Sequence, residues 1–157
     1  MSRERRDPRR QDLLSRSALG VFRLNGQFLA VAEELARPAG MTAAWWQVLG
    51  AVLGEPLPVS GVARAMGITR QSVQRIADLL VEKGLAEYRP NPAHRRAKLL
   101  APTEEGRAAI GRIDPGHAAF ADKLAEAFGE AELADAVRVL ERLSTVLDDL
   151  GVPVTEP

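Results

Sequence analysis

The segment that decides the fold spans residues 59–98 and reads VSGVARAMGITRQSVQRIADLLVEKGLAEYRPNPAHRRAK. Its first half predicts two short helices joined by a tight turn. Ser60 is placed to cap the first helix, which runs to about Met66, and Gly67 suits the turn because glycine tolerates a positive φ. Thr69 is placed to cap the second helix, since its oxygen can accept a hydrogen bond from a free N–H of the first turn. The pattern therefore predicts a helix-turn-helix.

A basic β-hairpin is predicted directly after this unit. Lys83-Gly84 is a natural helix stop, and strand-like residues follow at 85–88 and 97–101. Pro90 and Pro92 in the intervening loop prevent a flat, exposed strand edge. A helix-turn-helix followed by a basic hairpin predicts a winged helix, a unit that mostly reads DNA. The expected fold class is mostly α with a small β-hairpin wing.

The residues expected to contact DNA lie on the two helices and on the hairpin. The inward face of the second helix is apolar and must pack on the core, whereas its outward face offers Arg and Gln, which suit guanine and adenine edges. Arginines near a hairpin tip can enter a narrow minor groove, and hydroxyl groups at helix starts can donate to phosphates. The candidates are Ser60, Thr69, Arg70, Gln71, Ser72, Gln74, Arg75, Arg95, Arg96 and Lys98. An ordinary solvated helix face is the alternative.

Charge is segregated along the chain, although the formal net charge of its 157 residues is zero. Residues 58–102 contain eight basic and three acidic residues and carry +5, whereas residues 103–157 carry −7. Binding responds to the local field, so the basic block is compatible with DNA binding. The absence of cysteine excludes disulfides and thiolate zinc sites. No apolar run approaches the roughly 20 residues of a membrane span, and no signal peptide is recognisable, so we expect a cytoplasmic protein.

The flanking sequence predicts further helices. Residues 1–10 are expected to form a flexible, basic arm, either a simple disordered tail or a DNA contact. Helical patterns cover residues 11–37 and the apolar stretch capped by Thr42, and residues 54–58 are expected to be a loop. Thr103 is placed to cap a long helical region that kinks, or stops and restarts, at Asp114-Pro115-Gly116. Residues 130–150 predict a final helix whose apolar stripe needs a partner surface, followed by a frayed tail at 151–157.

Three motifs in this order are specific: the run IADLLVEKGLAE at residues 76–87, His94-Arg95-Arg96, and Thr103-Glu-Glu-Gly106. Together they resemble the MarR family of bacterial transcriptional regulators over about residues 12–150. The resemblance implies a single domain at 11–150, with the winged helix at about 42–102 and dimerisation helices at 11–37 and 103–150. It implies a homodimer that reads a pseudo-palindrome, with Arg95 in the minor groove, and we expect the chain to act as a repressor. Two residues depart from the family pattern: His94 stands where Asp is usual, and Pro102 where Leu is usual.

The resemblance also implies a small, often aromatic or phenolic effector, bound between the dimer helices and the winged helix. The candidate lining residues are Phe22, Trp45, Trp46 and His117, for which core packing is the alternative. No ligand spacing for a metal, no nucleophile with a paired base and no phosphate-binding loop is present, so we expect no cofactor and no catalysis. Two other functions stay open: an effector-independent architectural or protein-interaction module, and a small enzyme.

Overall fold

A computed structural model describes residues 7–151 of the chain. The described part contains six α-helices, a short 3-10 turn at Arg37–Ala39 and three short strands. Their bounds are α1 Pro8–Ala36, α2 Ala43–Ala51, β1 Leu57–Pro58, α3 Val59–Met66, α4 Arg70–Glu82, β2 Ala86–Arg89, β3 Leu99–Pro102, α5 Glu104–Phe128 and α6 Glu130–Asp149. The architecture confirms a mostly α fold with a winged helix-turn-helix between long terminal helices.

The helix-turn-helix is formed by α3 and α4, as the sequence predicts. Gly67 ends α3 with φ of 65°, a left-handed conformation that glycine adopts without a Cβ clash. Thr69 caps α4, its side-chain oxygen accepting a hydrogen bond from the Ser72 N–H at 3.1 Å. The predicted cap by Ser60 is wrong: α3 begins at Val59, Pro58 is the capping residue, and Pro58 has no side-chain oxygen to accept a bond.

The wing is a three-stranded antiparallel sheet in the order β1-β3-β2, rather than a simple hairpin. The expectation of a loop over residues 54–58 is wrong at its end, because Leu57 pairs with Leu100 and Pro58 pairs with Leu99. The two predicted strands also sit one or two residues later than expected, with Ala86 opposite Pro102. The extra strand ties the start of α3 to the base of the wing.

The start of α5 is fixed to the turn that ends α4. Thr103 caps α5 by accepting the Gly106 N–H at 3.1 Å, and its hydroxyl donates to the Gly84 carbonyl oxygen at 2.6 Å. The Thr103 backbone N–H also donates to the Leu85 carbonyl oxygen at 3.2 Å. Gly106 is buried at this joint, where a Cβ would overlap the Leu85 carbonyl oxygen. The Thr-x-x-Gly motif is therefore a joint between α5 and the turn that leads from α4 into the wing.

The terminal helices differ from their predicted limits. The first helix begins at Pro8, capped by Asp7, so residues 8–10 of the expected arm are helical; its residues 1–6 lie outside the described part. The helix α5 is continuous through Pro115, which excludes the stop and restart that the sequence left open. Of the expected tail, residues 152–157 also lie outside the described part.

The core sits beneath the winged helix, where α2, α3, α4, β3 and the first half of α5 meet. Its largest fully buried side chains are Leu49, Leu80, Leu100, Ile113, Val48, Val52, Val62 and Val73. By contrast, none of the residues of α6 is buried, and α1 buries only Ala36. The terminal helices therefore present apolar side chains that this protomer does not cover.

Candidate nucleic-acid interface

A cleft of about 1250 Å³ runs between α3, the first half of α4 and the wing. It brings together seven of the ten candidate DNA-binding residues: Ser60, Thr69, Arg70, Gln71, Gln74, Arg96 and Lys98. Three others do not line it: Ser72 is half-buried, Arg75 is exposed on α4, and Arg95 lines a smaller hollow on the wing. The helix-turn-helix and the wing thus share one concave surface.

The cleft is electropositive. Arg64, Arg70, Arg96 and Lys98 line it together with His94, and within residues 7–151 no acidic side chain does. The ion pairs of the described residues lie elsewhere, namely Arg10–Asp7, Arg16–Asp12, Arg37–Glu34, Arg89–Glu87 and Arg138–Asp135. The cationic groups of the cleft therefore have no carboxylate partner there and can neutralise an anionic ligand.

The hydroxyl groups at the start of α4 are already partly used. The Thr69 hydroxyl donates to the Ser72 Oγ at 2.8 Å while its oxygen caps the helix, so both of its roles are structural. The Ser72 hydroxyl accepts in this pair, which leaves its own hydrogen available to donate. Ser60 lines the cleft in the first turn of α3, where backbone N–H groups lack partners inside the helix.

Gln74 connects α4 to the wing through a compact network. Its Nε2 donates to Asp78 Oδ1 at 3.0 Å and to the Tyr88 hydroxyl at 2.9 Å. The Tyr88 hydroxyl in turn donates to the same Asp78 oxygen at 2.6 Å. Burial, reinforced by the hydrogen bond and negative charge of Asp78, raises the pKa of Tyr88 to about 12. Tyr88 therefore stays protonated and keeps donating to Asp78 at any ordinary pH.

The two wing arginines line two adjoining hollows, which share Tyr88 and Lys98. Arg96 faces the main cleft beside the helix-turn-helix, whereas Arg95 lines a hollow with Arg89 and Asn91. The loop is shaped by Asn91, whose side-chain oxygen accepts the Ala93 N–H at 3.0 Å, as in an Asx turn. Arg89 is held by Glu87 at 2.7 Å on the same strand. Arg95 and Arg96 are both exposed and can reach different parts of a duplex.

Sequence reasoning missed three cleft residues: Arg64, Tyr88 and His94. Arg64 could have been found, since it lies four residues after Ser60 and so shares its helix face. Tyr88 shares with buried Ala86 the face of β2 that meets α4, and this contact is visible only in the tertiary structure. His94 stood out as a departure from the family pattern but was not assigned to the site.

The structure brings together two of the four residues that the sequence predicts to line an effector pocket. The rings of Trp46 and His117 meet edge to face, with centroids 5.5 Å apart, where α2 adjoins α5. Trp45 and Trp46 are half-buried and pack against the core. Phe22, by contrast, is 76% exposed on α1. Two of the four residues are therefore in direct ring contact.

Two features are missing from the described part of the chain. Within residues 7–151 no cluster of His, Asp or Glu side chains has the geometry to hold a metal ion. No helix in that range is both long and apolar enough to cross a membrane.

Comparison with known proteins identifies relatives of this architecture. The sequence model of the MarR family matches residues 39–97, which include α2, the helix-turn-helix and most of the wing. The uncharacterized protein Rv2011c of Mycobacterium tuberculosis is 39% identical over 136 residues, covering 87% of this chain and 95% of the relative.

Solved structures share the fold. The MarR family transcription regulator SP03579 is 25% identical with a TM-score of 0.73, over 92% of this chain and 96% of that one. The transcriptional repressor CouR, solved bound to a 23-mer DNA duplex, is 24% identical with a TM-score of 0.71, over 80% and 89% of the two chains. BpsR of Bordetella bronchiseptica, whose DNA binding is regulated by 6-hydroxynicotinic acid, is 22% identical with a TM-score of 0.71, over 82% and 98%.

Proposed function

We propose that this chain, which belongs to the MarR family of DNA-binding transcriptional regulators, is a repressor. It would bind a pseudo-palindromic operator as a homodimer. We further propose that a small aromatic or phenolic effector releases it from that operator. One observation carries the proposal: the helix-turn-helix and the wing line a single cleft whose cations lack carboxylate partners in the described residues.

Each part of the cleft suits a different part of a duplex. The exposed start of α4 suits the major groove, where Arg70, Gln71 and Gln74 would meet base edges. Arg96 and Lys98 line the same cleft and would contact phosphates, which position a protein without carrying sequence information. Arg95, in the adjoining hollow of the wing, would enter the adjacent minor groove, where a narrow groove concentrates negative potential.

The exposed apolar faces of α1 and α6 support the homodimer. Phe22 on α1 is 76% exposed, Leu150 at the C-terminal cap of α6 is 71% exposed, and both helices carry further exposed Leu and Val residues. Exposed apolar side chains that recur along a helix in this way are typical of an interaction site. A second copy would place two helix-turn-helix units on one side of a duplex, where half-sites repeat about every 34 Å.

The ring contact between Trp46 and His117 supports the effector part of the proposal. These side chains lie where α2 and α5 meet, so a bound aromatic molecule could displace the contact and shift α5, which carries the wing joint. BpsR, which shares this fold, is regulated by a small aromatic molecule, 6-hydroxynicotinic acid. In this proposal Trp45 borders the pocket, and Phe22 contributes chiefly to the dimer.

A salt series on purified protein tests the DNA-binding part. Fragments from upstream of the gene itself should be bound with a preference for one palindrome, and affinity should fall steeply as salt rises. A matched pair of variants localises the site: Arg96→Ala should weaken binding strongly, whereas Arg37→Ala, an exposed arginine outside the cleft, should not. Binding without sequence preference would instead favour the architectural module, and no binding at all would contradict the regulator.

A further inference from the structure

Asp78 controls which end of the Gln74 amide can face the cleft. A carboxylate accepts hydrogen bonds and donates none, so the amide must turn its NH2 group toward Asp78. The observed contact of 3.0 Å between Gln74 Nε2 and Asp78 Oδ1 has this orientation. Turning the amide over would place its carbonyl oxygen against the carboxylate, where two acceptors repel each other. The oxygen of Gln74 is thereby left as the end without a hydrogen-bond partner among the described residues.

Tyr88 alone could not impose this orientation. A phenolic hydroxyl both donates and accepts, so it could bond either end of an amide. Here its hydrogen goes to Asp78 at 2.6 Å, and its oxygen accepts from Gln74 at 2.9 Å. The raised pKa of Tyr88 means that this hydrogen is retained. Asp78 therefore determines the orientation of the Gln74 amide, and Tyr88 holds Gln74 and Asp78 against the wing.

We infer that Asp78 is a positioning residue for DNA recognition, which makes Gln74 offer its carbonyl oxygen and so read an exocyclic amino group, adenine N6 or cytosine N4. In the major groove these amino groups are the donors, whereas guanine O6 and thymine O4 are acceptors that an oriented carbonyl oxygen cannot bond. Gln71 provides an internal contrast, because it lines the same cleft but makes no side-chain hydrogen bond within the described residues. Its amide can present either end.

The inference rests on the proposed function, and the experiment separates the two. Selection from a randomised DNA library would first define the preferred site of the wild-type protein. Repeating the selection with Gln74→Ala should abolish the preference at one base pair of each half-site. At that base pair, synthetic duplexes would carry base analogues that lack either the exocyclic amino group of one base or the keto oxygen of the base opposite it.

Removing the amino group should weaken wild-type binding about fivefold per half-site, the worth of one neutral hydrogen bond, and removing the keto oxygen should not. In the Asp78→Asn variant the new amide can donate or accept, so the difference between the two base analogues should disappear. Discrimination at the base pair read by Gln71 should be unchanged. Tyr88→Phe keeps the carboxylate and should retain the difference. Thermal unfolding of each variant confirms that the fold is intact.

Three results would overturn the inference: a greater loss on removing the keto oxygen, full discrimination retained in Asp78→Asn, or no base pair affected by Gln74→Ala. Each of these leaves sequence-specific binding, and hence the proposed function, in place. Failure of the wild-type protein to select any sequence would refute the proposed function and the inference with it.

Discussion

Replacing Gly106 by alanine tests whether the start of α5 is fixed to the turn that leads from α4 into the wing. In an open helix interior this exchange normally stabilises, because alanine is the better helix former by about 1 kcal/mol. At Gly106 the new Cβ would overlap the Leu85 carbonyl oxygen and lie 3.0 Å from the Leu85 carbonyl carbon and 3.4 Å from a Leu49 methyl group. Two of these three atoms belong to the backbone, so no side-chain rotation relieves the overlap.

The magnitude follows from what must move. To relieve the overlap, the start of α5 must shift away from Leu85, and backbone shifts caused by overpacking cost about 1–3 kcal/mol. The same shift weakens the hydrogen bonds from Thr103 to the Gly84 and Leu85 carbonyl oxygens, each worth about 1 kcal/mol. We therefore expect Gly106→Ala to lower the free energy of unfolding by about 3 kcal/mol. For a chain of this length that corresponds to a Tm about 6–12 °C lower.

Gly111→Ala is the matched control, since it lies in the same helix and an added Cβ would meet no other heavy atom within 4 Å. It should raise the Tm by about 1–4 °C, through helix propensity alone. Thermal unfolding by circular dichroism, at one fixed protomer concentration because association shifts the Tm, measures both variants. A Gly106→Ala protein with wild-type or higher Tm would show that the joint does not require glycine.

Three further measurements test other parts of the structure. Arg96→Ala should reduce the slope of log affinity against log salt by about 2 for a dimer, since each phosphate contact contributes about 0.9; an unchanged slope would contradict a phosphate contact. Phe22→Glu should convert dimer to monomer in sedimentation experiments, because it places a charge on the exposed apolar face of α1, and a dimer that persists would exclude that face from the interface. Tyr88 is the only tyrosine, so ultraviolet titration reports it alone: ionisation should centre near pH 12, and Asp78→Asn should move it lower. Because the folded pKa of Tyr88 lies above the unfolded value of 10.0, the contribution of Tyr88 to stability is complete below pH 10 and is lost as the pH rises toward 12. A titration midpoint near pH 10 in the folded protein would contradict the hydrogen-bond network.

Local signals predicted the fold well where one residue determines the outcome. Thr42, Thr69 and Thr103 all cap the helices expected of them, because a cap needs only a side-chain oxygen and the next three residues. Ser60 has the same chemistry but is not the cap, because α3 begins at Val59 and Pro58 occupies the capping position two residues earlier. The residue at which α3 begins depends on β1, because Pro58 belongs to that strand. The pairing of β1 with β3 joins residues more than forty positions apart. No local pattern contains that information.

The candidate site was predicted less completely, for a related reason. Residue type and helix face were enough to identify Arg70, Gln71 and Gln74, and the cleft does contain them. What they can do depends on partners from elsewhere in the chain. Gln74 is held by Tyr88, fourteen residues later on another element, and Thr69 and Ser72 use part of their hydrogen-bonding capacity on each other. Contact candidates could therefore be chosen from the sequence, but their free donors and acceptors could not.

The segregated charge explains how a chain with no net charge can still favour one docking orientation. The cleft residues carry positive charge without carboxylate partners among the described residues, whereas most acidic residues lie on α5 and α6. A duplex is therefore attracted to one part of the molecule and repelled by another, so the field selects orientation before any base is read. The apolar face of α6 is kept from the duplex in the same way, because the acidic helix that bears it repels phosphate. The proposed associations with DNA and with a second copy can thus proceed on separate surfaces of one small protein.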